Sequence, residues 1–361
     1  MKKGAWRLFA GEREEAIVNK KIRDLADACL EDARAGRDQT KKSNIVSLLE
    51  VDPTSDDALY IRECANKLTR EVTQCRGWVT FSIGVDFVPC KGNCRFCSFG
   101  EKWGIINEKN QYVFTHEQVV ETARNHLAQG ADGIVLRTTE FYPHDDLVAL
   151  TRRVRKEIPG NYTIAINTGE LSLKDCNDFA EAGANSLTHM LRLREGIDTG
   201  IDPEIRLRTI ENIKASPLRW GCCIDPIGPE HSAEEIADLF LKYHELGNPG
   251  CGTMRRTNVP GTPLGDTEGQ LTEEQCLLYS AALRICAGNA RSGGCHPNFE
   301  AGLYSGISGF CVETGAVPRT DGFVFEEWPD NKIPDAIAMM EKAGFTMPNV
   351  ATATDRPSCC G

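Results

Sequence analysis

The stretch Cys90-Lys-Gly-Asn-Cys94-Arg-Phe-Cys97 sets three thiols three and two residues apart in a short loop that also holds a glycine. Thiolates are soft anionic ligands, and spacing this tight lets three of them converge on one metal centre. No fourth ligand lies nearby. A structural zinc site closes with four protein ligands, whereas three leave one coordination position open for chemistry. The chain holds sixteen cysteines, and without a secretory signal these belong to metal binding, redox chemistry or burial rather than to disulfides. Cys29, Cys64 and Cys176 fall on helical stretches and read as core or interface thiols.

The elements that must position this loop follow a regular order. Residues 1–75 read as a charged helical leader, with helical apolar spacing over Glu12 to Ala35 and again over Ser55 to Glu71. From residue 76 to about 345 short β-rich runs alternate with amphipathic helices. Trp78 to Gly84 is the first strand, and the cysteine loop follows it. Capping boxes at Thr115-His-Glu-Gln118, Ser232-Ala-Glu-Glu235 and Thr272-Glu-Glu-Gln275 open three of the helices. Strands are expected at 133–136, 162–166, 186–190, 219–224 and 252–257, with weaker ones at 283–287 and 309–312. Helices are expected at about 145–157, 172–182, 203–215, 297–305 and 333–344. Strands separated by helices imply a parallel sheet, and six to eight such units imply an α/β, TIM-like (βα) barrel, full or nearly full. A doubly wound open sheet is the competing fold. Residues 346–361 read as a small, polar tail that carries Cys359 and Cys360.

In such a barrel, functional residues collect where strands hand over to the following loops. Here those positions hold Thr138-Thr139-Glu140, Asn167 to Glu170, Arg192, Arg194 and Glu195, Asp225 to His231, Asn258 to Pro263, and Arg291 to His296. Each has a plainer use, as a helix cap or a surface ion pair, but they fall together around the thiol loop. The net charge of −11 over 361 residues argues against nucleic-acid and anionic-membrane partners. No apolar run approaches a membrane span and Met1 to Trp6 has no apolar signal segment, so a cytoplasmic location is expected.

Cys-x3-Cys-x2-Cys with an aromatic before the last cysteine, placed after the first strand of this alternation, closely resembles the signature of radical S-adenosylmethionine (SAM) enzymes. The resemblance implies a [4Fe–4S] cluster on Cys90, Cys94 and Cys97, with SAM on the open iron. It further implies that Phe96 contacts the adenine and that Glu140 accepts from the methionine ammonium. Thr138 and Thr139 stand where the family has glycines. Asn167 and Glu170 match ribose contacts, and Arg192 or Arg194 matches the cation for the cofactor carboxylate. Arg76-Gly-Trp-Val-Thr-Phe, Pro226 to His231 and Asn258 to Leu264 resemble the branch that contains biotin synthase, lipoyl synthase, methylornithine synthase and hydrogenase maturases. The likeness spans about residues 45–315.

Biotin synthases hold a second, [2Fe–2S] centre through cysteines on strands two, three and five and an arginine on strand seven. Val135 and Ala165 replace two of those cysteines here, leaving Cys222 or Cys223 and Arg284 as matches, so that centre is not expected. The remaining thiols suggest a different auxiliary cluster, on Cys295, Cys359 and Cys360. The leading expectation is therefore hydrogen abstraction from an unactivated C–H followed by sulfur insertion from that second cluster, on a small-molecule or acyl-carrier-type substrate. A one-cluster enzyme acting on a small amino-acid-like substrate is the alternative, with Arg255, Arg256, Arg284 and Arg291 as carboxylate anchors. A non-catalytic iron–sulfur or zinc scaffold is the third reading, and it has no use for the polar residues at successive strand ends. A ferredoxin or flavodoxin as electron donor and sensitivity to oxygen follow from the resemblance.

Overall fold

The computed structural model describes residues 19–37, 41–248, 252–267, 269–290, 293–320, 323–327 and 332–348. Within its described residues the leader forms three helices, α1 (Lys20–Arg34), α2 (Lys42–Leu49) and α3 (Asp56–Thr73); the part of the expected Glu12 to Ala35 helix before residue 19 lies outside them. Of these, α2 is not foreseen by the sequence reading. Then come β1 (Trp78–Gly84), a short hairpin of β2 (Asp86–Phe87) and β3 (Tyr112–Val113), α4 (His116–Ala128), β4 (Gly133–Arg137) and α5 (His144–Glu157). The alternation continues through β5 (Thr163–Asn167), α6 (Leu173–Glu181), β6 (Ser186–Thr188), α7 (Pro203–Ala215), β7 (Arg219–Gly221), β8 (Ile224–Ile227) and α8 (Ala233–Glu245). The last units are β9 (Thr253–Arg255), α9 (Pro263–Thr267), α10 (Glu273–Cys286), β10 (Cys295–His296), β11 (Gly309–Ala316), β12 (Phe323–Glu327) and α11 (Ile333–Lys342). The three expected capping boxes are present, each with reciprocal side-chain to backbone bonds.

Neighbouring strands run β11-β1-β4-β5-β6-β7 and β8-β9-β10, all parallel. Only Cys222 and Cys223 separate β7 from β8, so the two sheets form one wrapped surface with a seam between β10 and β11. At that seam the Asn298 side chain substitutes for a strand, donating to the Cys311 carbonyl at 2.8 Å and accepting from the Cys311 N–H at 3.4 Å. The result is a TIM-like partial barrel. The added β12 pairs antiparallel with β11.

The expected strand over 283–287 is instead the last turn of α10, and strand seven is Cys295–His296. A buried apolar run has no period that separates strand from helix. Leu283, Ile285 and Cys286 are all fully buried because α10 lies between the barrel and the leader. Strand five is broken at Cys222, and the helix expected over 297–305 is a 3₁₀ turn, Glu300–Tyr304.

Side-chain alternation along the strands explains why this barrel can hold a ligand. Outward residues such as Val79, Phe81, Ile83, Leu136, Ile164 and Ile166 are apolar and fully buried against the helices, each contributing roughly 1.5–3 kcal/mol. Inward positions are small: Thr80, Ser82, Val135, Ala165, Ser186 and Thr188 face a common cavity. TIM barrels ordinarily fill this space with bulky branched residues. Here it stays open, as a cavity of about 440 Å³.

Candidate functional site

The cysteine loop is pinned at the C-terminal mouth of the barrel. Cys90 N–H donates to the Phe99 carbonyl at 2.6 Å and Glu101 N–H to the Cys90 carbonyl at 3.1 Å, closing the loop on itself. Three other segments hold it: Gly200 N–H donates to the Gly92 carbonyl, Ser98 N–H to the Pro318 carbonyl, and Leu264 N–H to the Arg95 carbonyl. Arg95 also pairs with Asp198 at 2.8 Å. Gly92 and Gly200 approach too closely for side chains, since a Cβ on Gly200 would lie 2.5 Å from the Gly92 carbonyl oxygen. A Cβ on Gly92 itself would meet the Cys90 and Cys94 Sγ atoms at 3.4 and 3.9 Å.

Cys90, Cys94 and Cys97 all face the cavity. Gly92 N–H points at Cys90 Sγ (3.4 Å) and Phe99 N–H at Cys97 Sγ (3.5 Å). Burial pushes Cys94 up to about 11 and Cys97 up to about 12, and the neighbouring thiols push the same way. Three such thiols side by side become thiolates when a cationic centre draws them, as ligation does.

Beside the loop lies a buried charge network. Arg206, on α7, reaches Glu140 at 3.2 Å, Glu170 at 2.6 Å and Glu195 at 3.5 Å. Thr209 Oγ1 donates to Glu170, and His189 Nε2 lies 3.4 Å from it. Burial opposes ionisation of Glu170, yet His189, Arg206 and Thr209 together hold its carboxyl down to about 2. Glu140 moves the other way: burial and the Glu170 charge raise it against the pull of Arg206 and Arg192. The paired threonines before it are fixed in place. Thr139 donates its N–H (2.8 Å) and its hydroxyl to Asp86, while Thr138 shares a 2.6 Å hydroxyl contact with Thr168. Gly169 passes so close behind Glu140 that a Cβ would meet the Glu140 carbonyl oxygen at 1.8 Å.

Of the residues singled out in the sequence, Phe96, Glu140, Asn167 and Arg192 face the cavity with the thiols. Asn167 donates to the Thr188 carbonyl. Arg192 Nε lies 3.4 Å from Asp225 Oδ2, an ion pair without hydrogen-bond geometry. Arg194 does not join them. Its guanidinium is tied to Glu235 at 2.7 Å and to the Glu230 carbonyl, because the turn after β6 puts it against the start of α8. Glu170 sits behind the wall, its oxygens taken by Arg206, Thr209 and His189.

Arg284 belongs to α10 and is buried against the leader, donating to Thr69 Oγ1. It is therefore neither a substrate anchor nor a strand-seven ligand. Arg256 is buried and bound to Glu230, Asn258 and Gly269. Arg255 reaches the cavity edge, with its guanidinium on the Leu271 carbonyl and over Phe299. Arg291, Cys359 and Cys360 lie outside the described residues. Cys295 is turned toward α10, near Ser280 and Thr253, on the opposite strand face from His296. Among the described residues, no three or more Cys, His, Asp or Glu side chains gather as ligands of a single metal ion would. Cys222, Cys223 and Cys311 line the cavity, and Cys295 also borders it.

Sequence reasoning missed Arg206 and His189. Arg206 follows Pro203-Glu-Ile in what reads as an ordinary charged helix start, and His189 falls within the run read as a strand. A buried arginine that gathers three carboxylates from three loops leaves no local pattern.

The cavity wall on and near the strands flanking β1 also holds Arg137, His296, Glu313 and Arg319. Glu313 pairs with Arg137 at 2.6 Å, with Arg319, and with His296 at 3.3 Å. Burial, together with the nearby Arg319, Arg137 and Arg255 charges, drives His296 down to about 3, against the pull of Glu313. Between about pH 6.5 and 3 the unfolded chain therefore takes a proton at this position that the folded one refuses, and stability falls as pH falls. The melting temperature is expected to drop between pH 7 and pH 5, and His296→Gln should show a smaller drop. His231, also lowered by burial, contributes in the same direction in both proteins.

The donor set fits a [4Fe–4S] cluster with SAM: three soft thiols at one end of a cavity, beside a carboxylate and a guanidinium suited to a zwitterion's ammonium and carboxylate. The comparisons with known proteins agree. Biotin synthase from Sulfurihydrogenibium sp. is 24% identical over 207 residues, 54% of this chain and 60% of that protein. [FeFe] hydrogenase maturase subunit HydE from Thermotoga maritima is 27% identical over 190 residues, 49% of this chain and 51% of that protein. The chain thus spans only about half to three fifths of these curated relatives. Two solved structures share the fold. HydG, a maturase of the [FeFe]-hydrogenase, has a TM-score of 0.71 at 15% identity and covers 92% of this chain and 80% of its own. Methylornithine synthase (PylB) has a TM-score of 0.71 at 18% identity and covers 90% and 97%. The Radical SAM superfamily signature matches residues 87–269, just over half of the sequence, and the chain belongs to that superfamily.

Proposed function

We propose that this chain takes a hydrogen atom from an unactivated carbon of a small molecule held inside the barrel, using a single cluster at Cys90, Cys94 and Cys97. The observation that carries the reading is continuity: the thiol loop, Glu140, Arg192 and the small inward residues of the strands border one cavity of about 440 Å³. A cluster on these thiolates, once reduced, supplies with SAM a 5′-deoxyadenosyl radical. The chain's own residues bind and orient. Glu140 accepts from the methionine ammonium, whose charge favours the ionised carboxylate that burial disfavours. Arg192 faces the methionine carboxylate, with Asp225 holding its Nε side. Phe96 and Asn167 border the nucleoside. Arg206 neutralises the carboxylates behind Glu140 and fixes its position.

Sulfur insertion is the second reading, favoured by the cavity thiols Cys222, Cys223 and Cys311. Cys295 borders the same cavity, with its thiol near Ser280 and Thr253. Iron and sulfide counting on anaerobically reconstituted protein separates the two. About four irons per chain, all lost with the Cys90, Cys94 and Cys97 thiols, are expected for one [4Fe–4S] cluster. A second set of about four that survives that loss would establish an auxiliary cluster and favour sulfur insertion.

A further inference from the structure

The two halves of the cavity wall differ in charge. Beside the cysteine loop, Glu140 and its companions balance Arg206, and Asp225 faces Arg192. On β4 and β11, the two neighbours of β1, and in the turn after β11, one carboxylate serves two guanidiniums: Glu313 lies between Arg137 and Arg319. The third group on that carboxylate is the His296 imidazole, at 3.3 Å, which brings no negative charge. This wall therefore keeps one uncompensated positive charge inside a chain whose net charge is −11.

Arg319 is the member with capacity to spare. One of its NH2 groups is on Glu313, while the other has the Met254 thioether sulfur at 3.6 Å, a weak acceptor. Its side chain is only 13% exposed, so bulk water does not satisfy it. Arg137, by contrast, spends its two NH2 groups on Glu313 and the Ala316 carbonyl. Arg319 is also close to the radical source in the chain's own wiring: it follows Pro318, whose carbonyl accepts from Ser98 N–H, next to Cys97.

We propose that Arg319, backed by the Arg137–Glu313 pair and Met254, binds an oxyanion of the substrate, a carboxylate or a phosphate. A guanidinium fork matches either group in bidentate fashion. The site deepens the reading of a hydrogen-abstracting enzyme by fixing one end of the substrate inside the cavity that the cysteine loop borders. A substrate so anchored would be a small acid or phosphate ester.

The test uses the reconstituted holoenzyme with SAM and isothermal titration of three probes at millimolar concentration: glutarate, inorganic phosphate and the neutral diamide glutaramide. Glutarate or phosphate is expected to bind and glutaramide not to, and which of the two binds identifies the oxyanion. Arg319→Gln leaves Glu313 paired with Arg137, so the fold is expected to hold, and a melting curve checks it. Binding should weaken on the order of tenfold in Arg319→Gln and recover in part in Arg319→Lys. Failure of both anions to bind, equal binding of glutaramide, or an unchanged affinity in a folded Arg319→Gln would overturn the proposal. The parallel readout is 5′-deoxyadenosine formation without probe. Its absence alongside Arg319-dependent binding defeats the radical reading but leaves the anion site standing, and the converse result defeats only the anion site.

Discussion

Replacing Arg206 with alanine is expected to cost about 3–5 kcal/mol of stability, the range for stripping one partner from a buried ion cluster. Arg206 is 2% exposed and is the common partner of Glu140, Glu170 and Glu195. Without it, three carboxylates from three different loops face each other in a low-dielectric site, with His189 as the nearest remaining compensation. The sign of the pH response identifies the cause. In the native chain Glu170 is held down to about 2, so its contribution is present above the unfolded value of about 4.3 and is lost as pH falls toward 2. In Arg206→Ala, Glu140, already raised by burial and the Glu170 charge, loses the opposing pull of Arg206 and rises further. The stability lost at neutral pH should then be partly regained on acidification to about pH 5. Denaturant melts of both proteins at pH 7 and pH 5 check this, with Arg206→Lys retaining part of the native behaviour. SAM affinity should fall in parallel, since Glu140 loses its anchor.

The second large effect is expected at the thiols. Each of Cys90, Cys94 and Cys97 would hold one vertex of the cluster, and the loop that carries them is fastened by Gly200, Pro318 and Leu264 through backbone bonds. Those bonds do not depend on the sulfur atoms. Cys94→Ala should therefore fold with a melting temperature close to that of the metal-free native protein, while losing the cluster's charge-transfer absorbance and its iron. A variant that keeps its full iron content would show that Cys94 is not a ligand.

Much of the architecture was legible because the sequence is locally consistent. Period-two strands, capped amphipathic helices and polar strand ends agree with one another from Trp78 to Thr257, and the cysteine spacing carries its own chemistry. Legibility faded in three physical circumstances. Leu283 to Ala287 is apolar on every side because α10 is sandwiched, which erases the helical stripe. Strand five is interrupted at the vicinal cysteines, a local departure that propensity does not register. Arg206 and Glu313 owe their roles in part to distant partners, Glu170 36 residues from Arg206 and Arg137 176 from Glu313, and Arg319 to the turn at 317–320, whose position depends on the barrel closing. The openness of the barrel was readable in retrospect: Thr80, Ser82, Ala165, Ser186 and Thr188 are too small to fill it.

The most direct measurement is anaerobic reduction of the reconstituted protein with dithionite in the presence of SAM, followed by quantification of 5′-deoxyadenosine and methionine, for the native chain and Cys94→Ala side by side. The account predicts both products from the native chain and neither above background from the variant. A folded Cys94→Ala that forms 5′-deoxyadenosine at the native rate, or a native chain that loads iron and binds SAM yet forms none, would contradict it.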